Sequence, residues 1–441
     1  MTEPDFTHDA AARSWVASAN DGGDFPLQNL PFAVFRRAGT AEDFRGGVAI
    51  GDQIVDLAAL ASSGALPAAT VDALRACSQE RLNAFLEMGP AAWRSLRHAL
   101  FTALDVNAPQ ATRAAVQACL VAQSQAEHDV PLRIGDYTDF YTSVDHALNI
   151  GRLYRPDDPL SPNFRWMPIA YHGRVSSIGV SGQRVRRPAG QWLPAGATQP
   201  VYAPSERLDY ELELGICIGS GNTQGDAIPL ADAQRHVFGM CLLNDWSARD
   251  IQRWESTPLG PFQAKNFATT VSPWIVTMEA LAPYRQPWTR AVGEPQPLAH
   301  LDHATNRAAG ALDIRLDVWL ETARHRARAE APQRLSSTSF RHQYWTVAQM
   351  VAHHTAGGCN LQTGDLLGSG TISGPGPGEA GAMIELTQAG RAPLHLDNGE
   401  QRSFLSDGDA VVLKGWCEKP GFARIGFGEC RGEVIAHARP A

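Results

Sequence analysis

From Pro131 almost to its end, the chain reads as short apolar runs cut off by turns rich in glycine and proline, and this texture constrains the fold more than any other feature. VRRPAGQW, YELELGICIG, SPWIVTMEAL, ALDIRLDVWL, AMIELTQ and DAVVLKGWC each carry β-branched or alternating apolar residues over four to eight positions, the length of a strand. Only two later tracts, 230–255 and 344–358, space their apolar residues as helices do. Within the first of them, LLND also reads as an apolar strand end running into Asp245. Upstream, Pro31 to Asp56 gives short β pieces separated by Ala-Gly, Gly-Gly and Gly-Asp turns, as in a small antiparallel barrel or sheet. Thr70 to Gln125 is helical, with breaks at Pro90 and Pro109. These textures predict a mainly β, α+β chain with a boundary near residue 130: a small N-terminal domain over 1–130 and a larger one over 131–441.

Charge and composition narrow the function. Lys plus Arg number 38 against 46 Asp plus Glu, a net charge of -8, so no basic field exists to draw nucleic acid or anionic lipid. No apolar run reaches about 18 residues, and the N-terminus lacks the basic-then-apolar order of a secretory signal. The expectation is a soluble cytoplasmic protein. Seven cysteines, at 77, 119, 217, 241, 359, 417 and 430, contain no C-x-x-C pair, which argues against a disulfide frame or a zinc ribbon.

Polar chemistry concentrates in a few segments. In RLDYELELG, Asp209, Glu211 and Glu213 fall at i, i+2 and i+4, which in a strand puts three carboxylates on one face. Either that face is simply wet, or a cation sits among acids that would otherwise repel one another. GDYTDFYTSVDHALNIGRLYR gathers Asp136, Asp139, Tyr141, His146, Arg152 and Arg155, and its Ser and Asp before HALNI can cap a helix. In LLNDWSARDIQRWE, Asp245 is either a helix N-cap or a site acid, followed by Arg249, Asp250 and Gln252. Lys265 lies in an apolar, glycine- and proline-flanked segment, where a cation needs anionic partners. Gly368 to Gly378 lacks the ending of a phosphate loop and reads as a tight turn approaching a ligand, while His353 and His354 read as surface or packing residues on a helix and not as ligands. Asp139, Glu211, Glu213 and Asp245 are hard oxygen ligands without thiolate or imidazole, a set that suits Ca2+ or Mg2+ and not Zn2+. Beside a His, two Arg, a Gln and a Lys, they describe a site for an anionic, oxygen-rich substrate, with hydrolysis at a carbonyl as its natural chemistry.

Together GDYTDFY, YHGR, RRPAGQ, LDYELELG, NDWSARDIQ, LGPFQAK, TTVSPW, GCNL, GDLLGSGTISGP and RIGFGEC resemble the fumarylacetoacetate hydrolase family in its long two-domain form, over nearly the whole chain. The resemblance implies a small SH3-like β-barrel domain with helices, then a C-terminal mixed β-roll that holds the active site and forms a homodimer. It implies metal-dependent hydrolysis of the C–C bond of 4-fumarylacetoacetate to fumarate and acetoacetate, the last step of tyrosine and phenylalanine catabolism. On this pattern Asp139, Glu211, Glu213 and Asp245 hold Ca2+ or Mg2+, with Lys265 and Thr269 lining the cation region. His146 activates water and Glu385 orients it. Tyr141, Arg155, Tyr171, Gln252 and Thr371 contact a diketo dicarboxylate substrate, with Arg249 beside them. One position departs: where vertebrate members place a substrate-contacting Tyr, this chain has Ser256 after Trp254 and Glu255, so Ser256 is left out of the expected site. No Gly-x-Ser-x-Gly elbow is present, which favours direct attack by water over a covalent intermediate.

Overall fold

The structure is a computed structural model that describes residues 3–438. In the N-terminal region, the strands Phe32–Arg37, Arg45–Ile50, Gln53–Asp56, Leu120–Ala122 and Ala126–Asp129 pair into one antiparallel sheet, with Phe32–Arg37 between Arg45–Ile50 and Ala126–Asp129. The tract 70–125, expected to be helical, resolves into the helices Val71–Cys77, Asn83–Glu87, Pro90–Leu104 and Gln110–Gln117, but its end departs from the expectation, because Leu120–Ala122 pairs as a strand with residues 53–55. Pro90 and Pro109 do not merely interrupt helices; Pro90 opens one and Pro109 caps the next, where a missing N–H costs nothing.

Two larger sheets follow. In the first, the strand order is Ile169–His172, Tyr137–Tyr141, Leu366–Gly368, Leu212–Ile218, Val237–Asp245, Thr269–Val271 and Ile178–Val180, and Val276–Thr277 also pairs with Val237–Asp245. In the second, the order is Gln333–Ser339, Arg315–Glu321, Ala410–Cys417, Ile425–Ile435 and Gln183–Arg186. Leu214 and Leu242 of the first sheet share one apolar core with Leu316, Leu413 and Phe427 of the second. The mainly β, α+β architecture expected from the sequence is therefore present.

Two further expectations of local structure fail for identifiable reasons. The tract 230–255, expected to be helical, contains the nine-residue strand Val237–Asp245 between a short 3-10 turn, Ala233–His236, and the helix Arg249–Glu255. This strand is central and buried throughout, so its apolar run carries no polar alternation to mark it as β. AMIELTQ, expected to be a strand, forms instead the single helical turn Met383–Leu386. The N–H groups of Met383 and Ile384 donate to the Asp209 carboxylate and not to a neighbouring strand. The tract 344–358 does hold a helix, Val347–Thr355, closed by a capping box of Thr346 and Gln349.

The first sheet uses its two faces differently. Leu212, Leu214 and Ile216 turn into the core shared with the second sheet, whereas Cys217, Cys241, Leu243, Val271 and Leu366 pack against the N-terminal region. There Phe238 meets Phe32, Phe85 and Trp93 at 5.6, 5.8 and 5.2 Å between ring centroids, and Phe32 and Ile275 exchange backbone hydrogen bonds. Buried aromatics contribute roughly 2 kcal/mol each, so the N-terminal region backs the sheet firmly. Because side chains alternate with period two, the face that carries Cys217 also carries Glu211 and Glu213 further along the strand, beyond the cover of the N-terminal region. Among the described residues no helix is long and apolar enough to cross a membrane, and the cysteines are all free, six of them buried.

Candidate active site

Strand register brings the acids together. Asp139 lies opposite Gly368 on one side and Tyr171 on the other, Glu213 opposite Leu243, and Asp245 opposite Thr269. One carboxylate oxygen each from Asp139, Glu211, Glu213 and Asp245 falls within 4.8 Å of the others, and all four residues are buried. Gly368 makes room for them: a Cβ there would sit 2.5 Å from Asp139 Oδ1 and 2.9 Å from Glu213 Oε2. In the turn that follows, Gly370 adopts a φ of 74° and donates its N–H to Glu213 Oε2 at 3.0 Å.

This cluster holds more negative charge than its protein partners neutralise. Burial, reinforced by Asp245, drives the Asp139 carboxyl well above the usual range; burial with Asp139 and Asp245 does the same to Glu213. Burial also opposes ionisation of Glu211, but Lys265 and Arg249 hold it below its ordinary value. Lys265 Nζ donates to Glu211 Oε2 and, at 2.7 Å, to Asp245 Oδ2. These carboxylates outweigh burial and raise the ammonium's pKa. The Tyr171 hydroxyl lies 2.8 Å from Asp139 Oδ2 and 2.9 Å from Asp245 Oδ2, though its one proton serves only one of them. Asp139 Oδ1 and Glu213 Oε1 have no hydrogen-bond partner. Orphaned acceptors on buried, crowded carboxylates are what a hard divalent cation would satisfy, so these residues fit Ca2+ or Mg2+.

A second constellation borders the same cavity. Ser143 caps the helix Val144–Tyr154 by accepting from His146 N, which sets His146 in the first turn. His146 Nδ1 lies 2.7 Å from Glu385 Oε1. Glu385 also accepts from Asn149 Nδ2 at 2.8 Å and from Ser373 Oγ at 2.9 and 3.0 Å. With a carboxylate as partner, Nδ1 carries the proton and Nε2 is left as the acceptor. Burial pushes the Glu385 carboxyl upward, but His146, Asn149 and Ser373 together hold it below its usual value.

Both constellations border a cavity of about 620 Å3, walled on its apolar side by Ile150, Tyr154, Leu259 and Pro261. Of the residues expected in the site, Asp139, Tyr141, His146, Tyr171, Glu211, Glu213, Arg249, Gln252, Lys265 and Thr371 line it. Asp245, Thr269 and Glu385 stand directly behind: Thr269 Oγ1 is 3.5 Å from Asp245 Oδ1, and Glu385 backs His146. Arg155 does not join the lining; it is exposed at the end of its helix, with Nη2 3.5 Å from Pro159 O. Arg253 takes a place on the wall instead, its guanidinium 5.8 Å from the centroid of the Tyr154 ring. Ser256, left out of the expected site, also lines the cavity, with its hydroxyl turned back to Gln252 O. Asp245 is not an N-cap: it ends its strand, and Ala248 occupies the cap of the following helix. His354 sits on its expected helix, 3.0 Å from Thr138 Oγ1.

Residues 137–435 match the family described as fumarylacetoacetate (FAA) hydrolase C-terminal, and residues 28–131 the one described as fumarylacetoacetase N-terminal. The chain belongs to the fumarylacetoacetate hydrolase family. It is 44% identical over 429 residues to fumarylacetoacetase of Oryza sativa subsp. japonica, covering 96% of this chain and 97% of that protein. With fumarylacetoacetase of Homo sapiens it shares 43% over 433 residues, 97% of this chain and 100% of the relative. A solved fumarylacetoacetate hydrolase from psychrophilic Exiguobacterium antarcticum is 15% identical, with a TM-score of 0.50 over 92% of this chain and all of that one, a likeness of fold alone. Sequence reasoning missed Asn149 and Ser373, which complete the shell of Glu385 in this member of the family. Asn149 had a signal, since it follows His146 by three positions and shares its helix face. Ser373 lies inside the Gly368 to Gly378 turn read as approaching a ligand, but its bond to Glu385 had no signal of its own, because only the tertiary fold brings the two together.

Proposed function

We propose that this hydrolase cleaves the C–C bond of fumarylacetoacetate with water, giving fumarate and acetoacetate, as the last step of tyrosine and phenylalanine breakdown. The observation that carries this reading is that the 2.7 Å pair of His146 and Glu385 and a buried cluster of four carboxylates meet at one cavity. The near full-length likeness to fumarylacetoacetases supports the substrate.

In this reading Asp139, Glu211, Glu213 and Asp245 hold a hard dication, with calcium favoured because several carboxylates and few waters suit its larger radius. When bound, the ion supplies Lewis-acid charge to the oxygens of the diketone. His146 Nε2 takes a proton from water as that water adds to the fumaryl-side ketone, and Glu385 steadies the imidazolium that forms. The C–C bond then breaks, and its electron pair leaves with acetoacetate as an enolate. Arg249, whose Nη2 has no partner, stabilises the oxyanion charge together with Lys265 and Gln252, and Lys265 delivers a proton to the leaving carbon. Tyr141, Tyr171 and Thr371 shape the pocket around the substrate, and Arg155 reaches a terminal carboxylate by moving from its place outside the wall.

The same reading includes the division into an N-terminal domain over 1–130 and a catalytic domain over 131–441, a homodimer, and action in the cytoplasm. Purified protein given synthetic fumarylacetoacetate, with and without a chelator, tests the activity. Release of fumarate that chelation abolishes is expected; no turnover, or full turnover after exhaustive chelation, would overturn the reaction or its metal dependence.

A further inference from the structure

Asp209 was one of three acids expected on a single strand face, yet it joins neither the carboxylate cluster nor the cavity wall. It is completely buried and accepts four N–H groups, two on each oxygen. Oδ1 takes Tyr210 N and Met383 N, both at 2.8 Å; Oδ2 takes Ile384 N at 3.0 Å and Arg249 Nε at 2.9 Å. Met383 and Ile384 begin the single helical turn whose third residue is Glu385. Arg249, from a different element, continues through Nη1 to Glu211 Oε1 at 2.7 Å and Gln252 Oε1 at 3.1 Å. One carboxylate therefore ties the backbone that carries Glu385 to the guanidinium of Arg249.

A helical turn of four residues cannot hold itself, because the first turn fixes several dihedrals for one hydrogen bond. This one is held from outside, by Asp209 at its start and by Thr387 at its end. Thr387 Oγ1 donates to Met383 O at 2.9 Å and accepts from Gly390 N at 3.1 Å. We propose that Asp209 is a positioning residue for the hydrolysis, locking the turn that bears Glu385 and the guanidinium of Arg249 into one unit. The proposal rests on the reading of His146 and Glu385 as the water-activating pair. Four donors around one side chain call for an acceptor-only group, and an Asn of the same shape would set its NH2 against two of them. Since a misplacement of about 1 Å can cost about 100-fold in rate, the loss should appear in kcat and not in KM.

The test compares Asp209→Asn and Thr387→Val with wild type and His146→Ala, by steady-state kinetics on fumarylacetoacetate and by the low-field proton NMR signal of His146 Nδ1–H, assigned through its loss in His146→Ala. Asp209→Asn is expected to lower kcat about 10- to 100-fold, to leave KM within about threefold, and to shift or broaden that signal. A folded Asp209→Asn protein with wild-type kcat and an unmoved signal overturns the proposal. Should Asp209→Asn fail to fold, Thr387→Val decides: the same kcat loss and moved signal support it, and wild-type values for both overturn it. The NMR signal requires no substrate, so a wild-type protein that fails to release fumarate refutes the proposed reaction while the positioning role is still judged.

Discussion

Replacing Glu385 by Gln separates the two jobs of that side chain, and Asn149 decides how the variant behaves. The carboxylate fixes the tautomer of His146 by accepting from Nδ1, and its charge stabilises the imidazolium formed during attack. A Gln can keep the first job only if its oxygen faces His146, which turns its NH2 toward Asn149 Nδ2, now 2.8 Å from Glu385 Oε2. Asn149 can answer by flipping its amide, because its Oδ1 receives only Arg152 Nη1 at 3.5 Å. The second job is lost outright. For charge centres about 4 Å apart at an effective dielectric of about 20, that loss is worth ~4 kcal/mol, or about 1,000-fold in rate, as an upper bound. Glu385→Gln should therefore lower kcat by about 100- to 1,000-fold with little change in KM, read from fumarate release at saturating substrate. Adding Asn149→Asp returns a negative charge near the pair, so the double variant should recover about tenfold. Wild-type kcat in Glu385→Gln would refute the pairing of His146 with Glu385 as the base, and no recovery in the double variant would refute the assignment of the loss to the missing charge.

Removing the base itself, in His146→Ala, should lower kcat at least about 100-fold while melting and cation content stay near wild type; combined with Glu385→Gln it should be little worse than alone, which steady-state rates can check. Burial and mutual repulsion raise Asp139 and Glu213 in the folded metal-free protein, so the native state binds more protons than the unfolded one above pH ~4 and loses stability as pH climbs toward those raised values. Melting in chelator should therefore fall between pH 5 and pH 8, and added Ca2+ should raise Tm more at pH 8 than at pH 5; a flat or inverted profile would contradict the sign. Gly368→Ala places a Cβ 2.5 Å from Asp139 Oδ1, and titration calorimetry should find Ca2+ affinity at least about tenfold weaker. Because Arg253 lines the cavity and Arg155 does not, Arg253→Ala should raise KM, and comparison with Arg155→Ala shows whether Arg155 moves in when substrate binds.

How much of this was legible in the sequence depends on what each signal had to carry. Glu211 and Glu213 were readable because strand periodicity is local: acids at i and i+2 share a face whatever the strand pairs with. The same rule failed for Asp209, which pairs with Ser247 on a separate short strand and turns to Arg249. Val237–Asp245 was misread because burial on both faces erases the alternation that separates strand from helix. AMIELTQ was misread because its conformation is dictated by an acid 174 residues away, an influence no local pattern contains. Gly368 looked like one more turn glycine, and its actual role, sparing space for two carboxylates on neighbouring strands, depends on register.

The placement of the acids follows from the division of labour between the faces of the central sheet. A strand buried on both sides must be apolar along most of its length, and Leu212–Ile218 meets this with leucine and isoleucine on one face and Gly215 and Cys217 on the other. The N-terminal region covers that second face only in part, through Phe32, Phe85 and Trp93. Where its cover ends, the same face can carry Glu211 and Glu213, provided that something compensates charges removed from water. Lys265 compensates both Glu211 and Asp245, Arg249 adds to Glu211, and Tyr171 serves one of Asp139 and Asp245 at a time, while Asp139 Oδ1 and Glu213 Oε1 have no partner. Covering that remainder with apolar side chains would have stabilised the sheet further. The chain instead keeps a set of buried carboxylates suited to a dication beside a cavity, and that demand for positive charge, more than any single motif, singles out this end of the sheet.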